Sequence, residues 1–370
     1  MTSNPVVEAP RAIAVVGTGL IGTSIALAAS RAGIAVSGWD ADADVLARAS
    51  ASGAIAAAPD LATAVATAEL VIVCTPIATI GAVVSQALAG APGAVVTDAG
   101  SIKGAVLAAV ESSAVPEHLE RFVPGHPMGG SERSGPEHAS ASVVDGIVWV
   151  VAPGPQTSEA AATRLEAFVS AVGARPVRLS PERHDRLVAF VSHLPQVAST
   201  TLMGLAASEE ADEPGVLLLA AGGFRDLTRL AASNPGLWSE ILLANREELA
   251  RAIDLFVERL LVLRADVGSG DGAGVERTFA AAKEARLRLA AKPQVRSGVA
   301  VVQVEIPDEP GALARITAVL GEGGVNIEDL QIVHSPEGGR GTVHLTVAAP
   351  AATASMDVLR GGGYDPVRLA

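Results

Sequence analysis

From Arg11 to about Leu179, short Val/Ile-rich runs alternate with alanine-rich stretches, and this alternation predicts strands and helices wound into an α/β parallel sheet. Strands are expected near residues 12–16, 34–39, 70–74, 94–97, 121–124, 147–152 and 175–179. The period changes around Ser180–Pro181. Leu187–Leu205, Val216–Ala232, Leu237–Val267 and Val275–Ala291 then read as helices, with turns at Glu213–Gly215, Asn234–Gly236 and Gly268–Gly274. Within the third helix, Leu249, Ile253, Phe256, Leu260 and Leu263 recur at spacings of four and three. That stripe suits a partner helix, so a homodimer is expected; the alternative is that it faces its own core. After a polar linker at 292–298, the order β-α-β-β-α-β predicts a ferredoxin-like unit. Its elements are Val299–Ile306, Leu313–Gly321, Val325–Ser335, Gly341–Ala348, Ala351–Gly361 and a marginal strand at Tyr364–Leu369. Three domains are therefore expected, over 11–179, 180–291 and 299–370.

Composition narrows the function classes. Of 370 residues, 49% are apolar but only 3% aromatic, so large cores must be built from Ala, Val and Leu. A net charge of −13 argues against nucleic acid or an anionic membrane as the main partner. Leu70–Thr97 lacks charge, yet Pro76, Gly81, Gln86, Gly90, Pro92 and Gly93 punctuate it, so no membrane span is expected. Cys74 is the one cysteine and reads as a buried strand thiol, in keeping with a reducing cytoplasmic setting. Glu8 and Pro10 precede Arg11 without an apolar core, so no signal peptide is expected. No metal-ligand cluster stands out.

The first strand runs into Gly17, Gly19 and Gly22 in the order G-x-G-x-x-G, followed by a helix, a second strand and Asp40. This is the fingerprint of a Rossmann-type dinucleotide site. Gly17 allows the tight turn, Gly19 admits a pyrophosphate, and Gly22 lets the helix pack on its strand, with Leu20 and Ile21 opening the helix whose N–H groups face that pyrophosphate. Asp40 suits a ribose hydroxyl and would repel a 2′-phosphate, so NAD is expected rather than NADP. Thr75-Pro76 ends the third strand where nicotinamide or ribose would lie.

Further candidates follow later strands. Thr97-Asp98-Ala99-Gly100-Ser101-Ile102-Lys103 places the Ser101 hydroxyl near a ligand, or uses it as a helix N-cap. Gly125-His126-Pro127-Met128-Gly129-Gly130-Ser131-Glu132 sets a histidine, the side chain best suited to take a proton near neutral pH, at a strand end. The helical region supplies His184-Asp185, His193, Gln196, Gly222 to Arg229, and Trp238, with Pro195 expected to bend its helix. Arg229, followed by Leu230-Ala231-Ala232, is expected to face a cleft where a guanidinium holds a carboxylate by two parallel bonds.

Taken together, Gly17–Gly22, Thr97–Lys103, Gly125–Gly135, Ser192–Gln196 and Gly222–Trp238 resemble the prephenate dehydrogenase family, which includes arogenate dehydrogenases. Asp308 to Leu313 and Gly324 to Ile327 resemble an ACT domain. The resemblance implies oxidative decarboxylation of prephenate to 4-hydroxyphenylpyruvate with NAD, in tyrosine biosynthesis. It implies that His126 takes or shares the substrate's C4 hydroxyl proton, that Ser101 hydrogen-bonds that oxygen, and that Arg229 holds a carboxylate. Ser131, Glu132, His193, Gln196, Gly222 and Trp238 would line the pocket. Pro310, Gly311, Ala312, Asn326 and Ile327 would meet an amino-acid effector such as tyrosine. Only ten residues precede the nucleotide region, so no chorismate-mutase segment is expected. Many prephenate-using relatives carry a second histidine where Gln196 stands, while an acid there suits arogenate. A neutral Gln can donate to a keto oxygen but cannot neutralise an ammonium, which favours prephenate. Arogenate is the alternative, and a non-catalytic NAD-sensing regulator a more distant one.

Overall fold

The computed structural model describes residues 8–129, 134–290, 299–334 and 340–369. In chain order the elements are β1 (Ala12–Val16), α1 (Leu20–Arg31), β2 (Ala35–Trp39), α2 (Ala43–Ser50), β3 (Ala56–Ala57), α3 (Leu61–Val65), β4 (Leu70–Val73), α4 (Ile77–Gly90), β5 (Val95–Asp98) and α5 (Gly104–Ser113). They continue with β6 (Phe122–Val123), β7 (Gly125–Pro127), β8 (Val148–Val151), α6 (Glu159–Ala171), β9 (Arg175–Arg178), α7 (Pro181–Val188), α8 (Leu194–Asp212), α9 (Gly222–Thr228), α10 (Pro235–Ala244), α11 (Arg246–Ser269) and α12 (Gly272–Ala290). The last are β10 (Val299–Pro307), α13 (Ala312–Glu322), β11 (Asp329–His334), β12 (Arg340–Ala348), α14 (Ala352–Gly361) and β13 (Val367–Leu369). The chain divides into two compact units, 1–200 with 230–254, and 201–229 with 255–370.

The first unit is built on a parallel sheet in the order β3-β2-β1-β4-β5-β6. Alternation along its strands explains why helices lie on both faces. Ile13, Val15, Leu70 and Ile72 join one core with α1 and α6, while Ala14, Val16, Val71 and Val73 join another with α3, α4 and α5. The sheet order reverses beside β1, which opens the crevice where such folds take ligands.

The expected strands at 147–152 and 175–179 form, but not in this sheet. β8 and β9 belong to a separate sheet, β7-β8-β9, with β7 antiparallel to β8. The physical cause is Pro124, which stands between β6 and β7, has no N–H to extend the parallel ladder, and offers its carbonyl to Ala152 N instead. The chain therefore passes from one sheet to the other within a single residue, immediately before His126.

The helical region departs from expectation in three places, the first being that the helix expected at 216–232 begins only at Gly222, as α9, and ends in a 3₁₀ turn at 229–232. A π-helical turn at Ala189–His193 lies between α7 and α8, just ahead of Pro195. The proline provides no N–H for the carbonyl four residues back, which suits a locally widened helix there. The run expected at 237–267 is broken at Asn245, between α10 and α11.

In the second unit, β10 to β13 form a sheet ordered β11-β12-β10-β13, every pair antiparallel. Ala300, Val302, Val304, Ile306, Val343, Leu345 and Val347 point to one face, where α13 and α14 cover them. The marginal strand forms as β13 against β10. Among the described residues, no helix is long and apolar enough to cross a membrane.

Candidate functional site

The glycine loop takes the conformation that its residue types demand. Gly17 has φ 91°, and a Cβ there would lie 2.7 Å from the carbonyl carbon of Cys74. At Gly22 a Cβ would stand 2.0 Å from the Gly17 oxygen, so α1 can start against β1 only with glycine at this point. Gly19 differs, since a Cβ would meet nothing within 4 Å. The space above Gly19, at the N-terminus of α1, is thus open for an anionic group. Leu20 and Ile21 form the first turn of α1, with Leu20 buried.

Asp40 follows β2 and accepts hydrogen bonds from Thr18 N (2.6 Å), Thr18 Oγ1 (3.2 Å) and Asp42 N (3.0 Å), which fix the carboxylate beside the loop. Thr75 follows β4, and its Oγ1 is buried without a hydrogen-bond partner among the described residues, while Pro76 precedes α4. An open cradle, a braced acid and an orphaned hydroxyl at the strand ends fit a dinucleotide.

His126 lies on β7, opposite Val150 of β8. The preceding residue is gripped on both sides: Gly125 N donates to Asp98 Oδ1 (3.2 Å), and Gly125 O accepts from Lys103 Nζ (2.6 Å). Lys103 Nζ also pairs with Asp98 Oδ2, and both side chains are fully buried. Burial pushes the Asp98 carboxyl up and the Lys103 ammonium down, each shift opposed by the partner's charge. Gly125 has no room for a side chain, because a Cβ would sit 2.6 Å from Thr97 Oγ1.

A chain of polar groups runs inward from His126. Its Nδ1 lies 2.9 Å from His184 Nε2, with the two rings edge to face. His184 Nδ1 lies 2.7 Å from Asp185 Oδ1. Asp185 in turn accepts from Lys103 N (2.8 Å) and Gly104 N (2.8 Å), so it supplies the side-chain cap of α5. Ser101 does not have the N-cap role that the sequence allowed it, since α5 begins only at Gly104. Desolvation first, then the neighbouring His184, Lys103 and His193, holds the His126 imidazole well below its ordinary range.

The same network reaches the residues expected on the helices. Asn245 Nδ2 donates to Asp185 O (2.8 Å) and to His193 Nδ1 (3.1 Å). Burial lowers the His193 pKa to about 4, and the Trp238 ring meets His193 edge-on at 6.2 Å. Gln196 is buried, with its amide donating to Leu230 O (2.8 Å) and Thr200 Oγ1 (3.3 Å). Its expected donation to a substrate keto oxygen therefore requires exchange of one of these bonds.

Gly222 and Arg229 fall in the second unit. Gly222 opens α9 and Arg229 begins the 3₁₀ turn at 229–232; both are exposed, and Arg229 makes no ion pair among the described residues. Ser131 and Glu132 lie outside the described residues. In the ferredoxin-like part, exposed Pro310 leads into Gly311 (φ 86°), which precedes α13, and Ala312 is buried as its first residue. Asn326 donates to Glu328 Oε1 (2.5 Å), and Ile327 packs against the core.

The sequence alone assigns no role to Asp98, Lys103, His184 or Asp185, and does not single out Asn245. The available signals were an adjacent His-Asp pair in the first helical run and an amide between the apolar run Ile241–Ala244 and the charged Arg246–Glu248.

Comparisons with known proteins agree with this architecture. Residues 25–178 match the family model for the prephenate dehydrogenase nucleotide-binding domain, 180–281 that for its dimerization domain, and 300–353 the ACT domain. The chain is 33% identical to a cyclohexadienyl dehydrogenase of Zymomonas mobilis over 77% of this chain and 98% of that protein. A solved prephenate dehydrogenase from A. aeolicus, in complex with hydroxyphenyl propionate and NAD+, shares 26% identity with a TM-score of 0.70, covering 75% of this chain and 98% of its own. A Synechocystis arogenate dehydrogenase structure is 26% identical with a TM-score of 0.66, over 75% of this chain and 99% of its own. The glycine loop, the half-buried His126 and these matches together establish that the chain belongs to the prephenate dehydrogenase family, with an ACT domain at residues 300–353.

Proposed function

We propose that this chain is a homodimeric, NAD-dependent prephenate dehydrogenase of the cytoplasm, forming 4-hydroxyphenylpyruvate for tyrosine synthesis. The observation that carries the reading is His126, which follows the carboxyl end of the nucleotide sheet and is fixed by a buried polar network. Gly17, Gly19, Gly22, Asp40, Thr75 and Pro76 would hold NAD. When bound, NAD supplies the hydride acceptor. Asp40 favours NAD, since its carboxylate would repel a 2′-phosphate. The solved relative complexed with hydroxyphenyl propionate and NAD+ supports both assignments.

The chain's own residues then have two tasks, orientation and proton transfer. His126, held neutral by its surroundings, accepts the C4 hydroxyl proton at Nε2, and Ser101 donates to the same oxygen. The product is a phenol, so that proton returns to oxygen as the ring aromatises and CO2 departs. Arg229 is proposed to hold a substrate carboxylate, and Ser131, Glu132, His193, Gln196, Gly222 and Trp238 are proposed as further substrate-binding residues. Uncharged Gln196 supports prephenate over an ammonium-bearing substrate. Arogenate is the second reading, favoured by the likeness to the Synechocystis enzyme.

The ACT domain is proposed to bind a regulatory amino acid, tyrosine first among candidates, at Pro310, Gly311, Ala312, Asn326 and Ile327. The dimer reading rests on α11. Leu249 is buried, but Phe256 and Leu260 of the same stripe are 39% and 48% exposed, leaving apolar surface for a second copy.

NADH absorbance with prephenate and with arogenate as alternative substrates tests the reading. Prephenate should give the higher kcat/KM, and His126→Asn should bind NAD normally yet lose roughly 10²–10⁴-fold in turnover. Near-normal turnover of that variant would remove His126 as the base. A higher kcat/KM for arogenate would exchange the two readings.

A further inference from the structure

The polar chain behind His126 has a direction, and its origin is the backbone. The Lys103 and Gly104 amides can only donate, and they bond to the two oxygens of Asp185. A carboxylate so held is an acceptor, so His184 Nδ1, 2.7 Å from Asp185 Oδ1, must carry a hydrogen. In neutral His184 the remaining nitrogen, Nε2, then has only a lone pair. That nitrogen lies 2.9 Å from His126 Nδ1, which must therefore be the donor. One ring nitrogen is left on His126, and it bears the lone pair.

We propose that His184 and Asp185 are positioning residues that hold His126 as its Nδ1–H tautomer, keeping Nε2 as the proton acceptor. The proposal rests on the reading of His126 as the base and assigns what makes it one. An unrestrained histidine favours the opposite tautomer, with hydrogen on Nε2, in which the outward nitrogen cannot accept. The interior accommodates the arrangement because every member has a partner: Asp185 caps α5, and Asn245 fixes the Asp185 carbonyl and the neighbouring His193. The π-helical turn that follows α7 bears on the same cluster. It lets His184 and His193, nine residues apart, join one network, His184 through the Asp185 carboxylate and His193 through Asn245, which also donates to the Asp185 carbonyl, where an unbroken α-helix would put them on opposite faces.

Ring ¹⁵N NMR on the full chain, labelled in histidine and recorded near pH 8.5 where imidazoles are neutral, reads the tautomer directly. His126, assigned by its loss in His126→Asn, should be Nδ1–H in the wild type. In His184→Leu it should shift toward Nε2–H, with kcat about 10²-fold lower and KM values nearly unchanged. In His184→Gln the amide oxygen can accept from Nδ1–H, so tautomer and most of the turnover should return. An Nε2–H signal in the wild type overturns the proposal even if the leucine variant fails to fold. So does a leucine variant that keeps both the wild-type tautomer and the wild-type kcat. If instead His126→Asn turns over normally, the base assignment fails while the ring spectra still judge the relay.

Discussion

Lys103 shows how much of this site is spent on holding one histidine. Its ammonium reaches no water and makes its bonds to Asp98 and to the carbonyl preceding His126. Lys103→Met leaves Asp98 buried without its cation, and breaking a buried pair on one side costs about 3–5 kcal/mol. Thermal unfolding should show a large loss of Tm, partly recovered by the double variant Asp98→Asn/Lys103→Met. An unchanged Tm in the single variant would mean that the pair is not buried as described. The histidines make a second prediction. His126 and His193 both have lowered pKa values in the folded state, so the unfolded chain takes up protons first as pH falls through about 6.5. Their stabilising effect is complete above that pH and declines below it, for His193 until about pH 4. Turnover should therefore persist below pH 6.5 and fall only at the lowered value of the base. A limb in kcat/KM at 6.5 or higher would contradict the desolvation of the His126 ring and the influence of His184, Lys103 and His193 on it.

Elements were legible in the sequence where one local rule decided them. The glycine loop is such a case, since Gly17 and Gly22 each answer to a close backbone approach while Gly19 leaves open space, and the strands 12–16, 70–74 and 175–179 formed within a residue of expectation. Gly22→Ala is accordingly expected to abolish NAD binding, because its methyl would overlap the Gly17 carbonyl; retained binding by calorimetry would refute this. Elements decided by long-range partners were not legible. Nothing local in the run at 147–152 says that it pairs with the strand of His126 rather than joining the parallel sheet, and the departure begins at Pro124, one residue before that pairing. The relay is the same kind of case. His126 and His184 are 58 residues apart, and only the packed fold brings the rings together. Asn245 was hidden because residues 237–267 read as one continuous helix, whereas the partners of its side chain, Asp185 and His193, lie 60 and 52 residues away.

At the scale of the molecule, the proposed assembly and regulation follow from surfaces rather than from the site. Phe256 and Leu260 lie exposed on α11, so a charge there should oppose pairing. Leu260→Glu is expected to shift the species seen by sedimentation from dimer to monomer, and an unchanged dimer would place the interface elsewhere. Tyrosine titration of the full chain against one ending near Lys292 tests the ACT domain. Inhibition only in the full chain supports an effector site there, whereas equal inhibition of both would move it out of that domain.

Asp185 carries one more consequence. It has two oxygens and two duties: with both it starts a helix, and with one of them it sets which way a proton points through two rings. A replacement that removes Oδ1 forfeits a fold contact and a reaction contact in the same stroke, because one oxygen serves both Lys103 N and His184 Nδ1. A plain screen for heat-labile variants, run with no substrate at all, should therefore single out a residue of the chemistry.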